Sequence, residues 1–155
     1  MGKILFVDDD ETMGEAVSRA IESMGHFCDV AADGYEGFNK IREGEYDLVI
    51  TDIRMPKLDG KEFLKRAHKY DKNLMIIVLT GYSSVESAVE LLKLGAYDYL
   101  EKPLNFEALE FVITRTLEKR KIEGQLNFFK GMIYTLIISI PIWLILGIIL
   151  AAFLS

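Results

Sequence analysis

Short apolar runs alternate with amphipathic stretches through roughly the first three quarters of the chain. Residues 4–7 form a run (Ile4, Leu5, Phe6, Val7) that reads as a buried strand. Beyond it Ala16, Val17, Ala20, Ile21 and Met24 make a helical stripe that Gly25 ends. Phe27–Ala31 is a second short strand, and Gly34–Glu43 is a weaker helix turning Phe38 and Ile41 inward. Residues 48–51 give a third strand, closed by Asp52. A loop with Pro56, Asp59 and Gly60 then leads to a helix with Phe63, Leu64 and Ala67 inward. Residues 74–79 are the most apolar strand and end at Thr80-Gly81. In residues 84–94 the predicted inner face is Val85, Ala88, Val89 and Leu92, opposite Glu86, Glu90 and Lys93. Residues 97–100 supply a last strand. After Pro103 a helix from about Phe106 carries Leu109, Val112, Ile113, Thr116 and Leu117 on its core side. Five strand-then-helix units predict an α/β fold with a parallel sheet covered on both faces.

The pattern then changes. Residues 132–154 are uncharged and mostly aliphatic on every side, about 35 Å of helix at ~1.5 Å per residue. That length spans a hydrocarbon core of ~30 Å with some tilt. A core helix on a domain this small is normally amphipathic, so the run predicts a single transmembrane helix. Pro141 lies mid-span and predicts a kink, with Ser139 able to serve freed carbonyls; a re-entrant hairpin is the alternative. Gly147 and Ala151 form a small-xxx-small pair that would allow a homodimer.

Charge sharpens this division. The formal net charge is −6, but residues 1–118 hold 14 Lys/Arg against 23 Asp/Glu. Residues 119–130 are basic, with Lys119, Arg120, Lys121 and Lys130 against Glu123. An acidic body is a poor match for nucleic-acid phosphates. The basic patch fits lipid headgroups, and its position predicts a cytoplasmic domain with a C-terminal anchor in the bilayer. The N-terminus lacks signal-peptide character, and one cysteine, Cys28, precludes an internal disulfide. His26 and His68 lack metal-ligand company and read as ordinary surface or loop residues.

In an open parallel sheet the ligand site lies at the C-terminal strand edge, where strand order reverses. The Asp8-Asp9-Asp10 cluster, Asp52, Thr80 and Lys102 all fall there. Adjacent carboxylates repel one another, and a divalent cation such as Mg²⁺ relieves them. With a hydroxyl and an ammonium opposite, the set suits phosphoryl transfer, and an aspartate could act as nucleophile. Position alone leaves open which aspartate.

Two families resemble parts of this pattern. Val7-Asp8-Asp9-Asp10-Glu11-Thr12 resembles the nucleophile motif of haloacid-dehalogenase-type phosphatases, which would make Asp8 the nucleophile and Asp10 the acid/base. That family needs a further acidic pair after the lysine, and Glu107, Glu110, Glu118 and Glu123 lie on or beyond a helix; Asp52 is also left without a role.

The second resemblance, to the receiver domain of two-component response regulators, covers Lys3 to about Lys121. It rests on Val7-Asp8-Asp9, Asp52-Ile53-Arg54-Met55-Pro56 with Asp59-Gly60, Thr80-Gly81 and Lys102-Pro103. Residues 96–104 (Ala96-Tyr97-Asp98-Tyr99-Leu100-Glu101-Lys102-Pro103-Leu104) are similar to receivers of the nitrogen-regulator class. The resemblance implies a doubly wound, flavodoxin-like five-stranded sheet of order 2-1-3-4-5. It implies Asp52 as phosphoacceptor from a sensor histidine kinase or phosphotransfer protein, and no enzyme beyond slow self-dephosphorylation. Mg²⁺ would be held by Asp9, Asp52 and the Arg54 backbone carbonyl, with Asp8 acting partly through water. Thr80 and Lys102 would contact the phosphoryl group, Tyr99 would be the switch aromatic, and Lys102-Pro103 would be cis. Asp10 and Glu11 need no role beyond a solvated strand end or helix N-terminus, and Asp59-Gly60 reads as a turn into the next helix.

The expected organisation is a receiver over 1–121, a juxtamembrane linker over 122–131 and a transmembrane helix over 132–154. Proteins of the nitrogen-regulator class continue into an ATPase and a DNA-binding domain; no such segment follows here, so a downstream protein rather than DNA is the expected target, with a phosphate sink competing for a kinase or a non-phosphorylated membrane scaffold as the alternatives.

Overall fold

A computed structural model describes residues 1–81 and 84–154. The chain divides into two units, Met1–Glu118 and Lys119–Ser155. In the first, the elements run β1 (Lys3–Val7), α1 (Glu11–Ser23), β2 (Phe27–Ala31), α2 (Gly34–Glu43), β3 (Leu48–Asp52), α3 (Gly60–Tyr70), β4 (Met75–Thr80), α4 (Val85–Lys93), β5 (Asp98–Glu101) and the start of α5 (Phe106–Leu154). All strand pairs are parallel and the order is β2-β1-β3-β4-β5, as expected.

Alternation along the strands builds two cores. Leu5 and Val7 face one side with Val49, Ile76 and Val78, where Phe63, Leu64 and Ala67 of α3 and Leu91 of α4 cover them. Ile4 and Phe6 face the other side with Ile50, Ile77 and Leu79, under Val17 and Ile21 of α1 and Leu109 and Ile113 of α5. Every residue of β3 and β4 is buried, as their continuous apolar runs require.

The helix starts are fixed locally. Asp10 caps α1 by accepting from the Thr12 and Met13 N–H groups, and Asp33 caps α2 through those of Tyr35 and Glu36. Asp59 caps α3, and Ser84 caps α4.

Two inward faces and the setting of His68 differ from expectation. In α4 the deeply buried side chain is Leu91, whereas Val89 and Leu92 are 42% and 47% exposed. Leu91, Leu92 and Leu94 cover so wide an arc that periodicity leaves the helix rotation open, and Leu91 with Leu94 fits the cluster. The side chain of Val85, also expected inward, lies outside the described residues. In α1 Ala16 is exposed, and Met13 joins Val17, Ile21 and Met24 on the sheet side instead. His68 is half-buried in α3 beside Gly95 rather than at the open surface, and His26 accepts from the Gly2 N–H at 3.1 Å.

In the second unit the chain is helical through Leu154, including residues 122–131 and Pro141. Among its described side chains Ile133, Leu136, Ile140 and Leu144 are more than half exposed, and α5 is long and apolar enough to cross a membrane. The Ser139 hydroxyl donates to the Leu136 carbonyl at 3.1 Å, whereas Pro141 releases the carbonyl of Ile137, four residues before it. The side chain of Ala151, half of the small-residue pair, lies outside the described residues.

Candidate functional site

Parallel strands that end level bring their C-terminal residues together, and here β1, β3, β4 and β5 do so. Asp8 follows β1 and is 2% exposed; its N–H bonds the Ala31 carbonyl at 3.1 Å. Asp52 is the last residue of β3 and Thr80 the last of β4, both buried. Lys102 follows β5, where its N–H bonds the Thr80 carbonyl at 2.8 Å and its peptide to Pro103 is cis, as expected.

The Lys102 ammonium bridges two carboxylates, 3.1 Å from Asp8 Oδ2 and 3.2 Å from Asp52 Oδ2. The remaining oxygens meet backbone donors: Asp8 Oδ1 accepts from Asp10 at 3.0 Å and Asp52 Oδ1 from Ile53 at 2.8 Å. Asp9 is exposed beside them. Carboxylate oxygens of Asp8, Asp9 and Asp52 lie within 4.8 Å of one another. One ammonium cannot balance three carboxylates, and hard oxygen donors in such a cluster fit Mg²⁺.

The charges act on each other visibly. Burial pushes the Asp52 carboxyl above its ordinary range; Lys102 and the Ile53 N–H work against that, while Asp8 adds to it. For Lys102 burial works toward a lower value, but the hydrogen bond to Asp8 and the charges of Asp52 and Asp8 outweigh it and raise the ammonium's pKa.

These residues open onto a cleft of about 1080 Å³ whose lining includes Asp9, Asp52, Arg54, Thr80 and Lys102. Tyr99 is set apart, half-buried against the core cluster under α2–α4. Asp10, the acid/base of the phosphatase-like pattern, instead spends its Oδ1 on capping α1.

Sequence reasoning missed three cleft residues: Lys61 in the first turn of α3, and Ser87 and Leu91 in α4. The signal for Lys61 was its place directly after Asp59-Gly60, at a helix start on the C-terminal strand edge. Asp59 is both helix cap and cleft wall. The loop before it turns sharply at Lys57, which has a φ of 69° and pairs with Asp33.

This sheet order and this acidic, lysine-bridged edge define a receiver-type α/β domain, and comparison with known proteins gives the family. Residues 4–114 match the response regulator receiver domain family. The chain belongs to that family, whose members are phosphoacceptor signalling domains of two-component systems, not enzymes in general. Receiver domains generally bind Mg²⁺ at an acidic pocket and interact with sensor kinases or phosphotransfer proteins.

The transcriptional regulatory protein ZraR of Klebsiella oxytoca is 38% identical over 119 residues, which are 77% of this chain and 27% of that protein. The regulatory protein AtoC of Escherichia coli (strain K12) is 31% identical over 127 residues, 82% of this chain and 28% of that protein. The chain thus spans about a quarter of the length of these curated relatives. Among solved structures, a CheY-like receiver domain protein of Methanospirillum hungatei JF-1 aligns with a TM-score of 0.76 and 35% identity, covering 80% of this chain and 99% of that one. NtrX of Brucella abortus aligns with a TM-score of 0.76 and 30% identity, over 81% of this chain and 29% of that one.

Proposed function

We propose that this chain is a membrane-held receiver that takes a phosphoryl group onto Asp52 and thereby changes a partner-binding face. The observation that carries this reading is the Lys102 ammonium shared between Asp8 and Asp52, with Asp9 beside them. In the transfer, an Asp52 carboxylate oxygen bonds to phosphorus while the phosphorus–nitrogen bond of a donor phosphohistidine breaks. The bonding pair leaves on the imidazole. Catalysis here is positioning and charge balance.

Asp9, Asp52 and the Arg54 backbone carbonyl would hold Mg²⁺, with Asp8 acting partly through water. When bound, the ion neutralises charge on the phosphoryl oxygens. Lys102 pairs with one of those oxygens and Thr80 donates its hydroxyl to another. Tyr99 follows Thr80 inward, and the added charge of about −1.5 to −2 biases that two-state arrangement.

The receiver occupies 1–121 and a helical linker 122–131. Residues 132–154 cross the bilayer, with the receiver on the cytoplasmic side marked by Lys119, Arg120, Lys121 and Lys130. Holding the domain at the membrane raises its effective concentration near membrane-bound kinases. A homodimer through the span is compatible with Gly147 and Ala151. The test is to treat the full chain in lipid nanodiscs with acetyl phosphate and Mg²⁺. Mass gain is expected in wild type and absent in Asp52→Asn; gain that survives Asp52→Asn but vanishes in Asp8→Asn revives the phosphatase-like reading.

A further inference from the structure

Lys61 has no part in the chemistry above, yet its side chain lines the same cleft as Asp52, Thr80 and Lys102. It stands in the first turn of α3, where Asp59 caps its N–H at 2.7 Å. Its ammonium reaches across to α4 and lies 2.7 Å from Glu90 Oε2. Among the described residues this is the ion pair that joins α3 to α4.

The helix it holds is lightly seated. Leu91 is fully buried, but Val89 and Leu92 point outward. Ser87, bonded to the cap Ser84, puts the first turn of α4 on the cleft wall. A pair as exposed as Lys61–Glu90 is weak and open to competition.

Phosphorylation supplies a competitor. Lys102 is already divided between Asp8 and Asp52. A phosphoryl group brings about −1.5 to −2 charge into the cleft that Lys61 lines. Lys61 is the cleft lysine whose present partner lies on the neighbouring helix.

We propose that Lys61 is an additional cation for the phosphoryl group on Asp52, and that Glu90 withholds it in the unmodified chain. Phosphorylation and the α3–α4 ion pair then exclude each other. Charge at Asp52 is thereby converted into release of α4. This inference rests on Asp52 being the phosphoacceptor.

The test titrates acetyl phosphate, with Mg²⁺ present, into the full chain in nanodiscs and reads the concentration giving half-maximal labelling. Glu90→Gln frees Lys61 and lowers that concentration about two- to five-fold, and Lys61→Met raises it by a similar factor. Lys61→Arg keeps the charge and stays near wild type. The exchanged pair Lys61→Glu with Glu90→Lys rebuilds the bridge but removes the cleft cation, so it stays at least as poor as Lys61→Met. Recovery to wild type in the exchanged pair overturns the proposal, because Lys61 is then only a tether. Shifts of the same sign in Glu90→Gln and Lys61→Met overturn it too. No labelling of wild type, by contrast, rejects the Asp52 reading itself.

Discussion

A Cβ added to Gly60 would stand 2.3 Å from the main-chain oxygen of Asp52. It would also lie 2.5 Å from Ile53 Cα, while the Gly60 N–H bonds the Ile53 carbonyl at 2.9 Å. The start of α3 is therefore packed directly on the backbone that carries the central carboxylate. Backbone cannot yield as a flexible side chain can, so glycine is required here for close approach rather than for a turn.

Gly60→Ala is accordingly expected to cost about 2–4 kcal/mol, within the range of severe single substitutions. Thermal unfolding of the full chain followed by circular dichroism checks this. Unchanged stability would show that α3 docks less tightly than described.

Asp52 should lower stability in the absence of a divalent cation. Burial raises its carboxyl pKa, so the folded chain holds this proton more tightly than the unfolded chain does. Below the ordinary carboxylate range both states are protonated and no penalty exists. Between that range and the raised value stability falls as pH rises, and above it the penalty is complete. In EDTA, Asp52→Asn should raise Tm at neutral pH, the gain shrinking toward acid. A gain that grows toward acid would contradict the sign of the shift.

The path of the sheet and the four polar strand ends were legible from the sequence, because continuous apolar runs in β3 and β4 end at Asp52 and Thr80. Helix rotation was legible where the apolar arc is narrow, as with Phe63, Leu64 and Ala67 in α3. It was not legible in α4, where adjacent leucines leave several faces equally apolar and the sheet selects Leu91. The shared edge was legible, but the individual pairings were not. That Lys102 would bridge Asp8 across 94 positions of sequence, or Lys61 reach Glu90, depends on strand and helix neighbours that no local pattern records.

Mg²⁺ should stabilise the chain through the carboxylate cluster. A ligand that binds only the folded state at ~100 times its Kd adds about 2.7 kcal/mol. Titration with Mg²⁺ should raise the wild-type Tm, and Asp9→Asn should lose most of that response. An equal response in Asp9→Asn would place the ion elsewhere.

The apolar side chains of the second unit need a partner phase, since Ile133, Ile137 and Leu144 are all 52–63% exposed. Carbonate extraction of membranes from cells making the full chain should leave it in the pellet, and a stop after Gly124 should release the receiver. Full-length chain in the soluble fraction would contradict the span.

The most direct measurement of the central claim is borohydride trapping. An aspartyl phosphate is an acyl phosphate, and hydride reduces it to the alcohol, converting the labelled aspartate to homoserine. After treatment of the full chain with acetyl phosphate and Mg²⁺, peptide mapping should find homoserine at position 52. Homoserine at position 8, or none at all, would contradict the account.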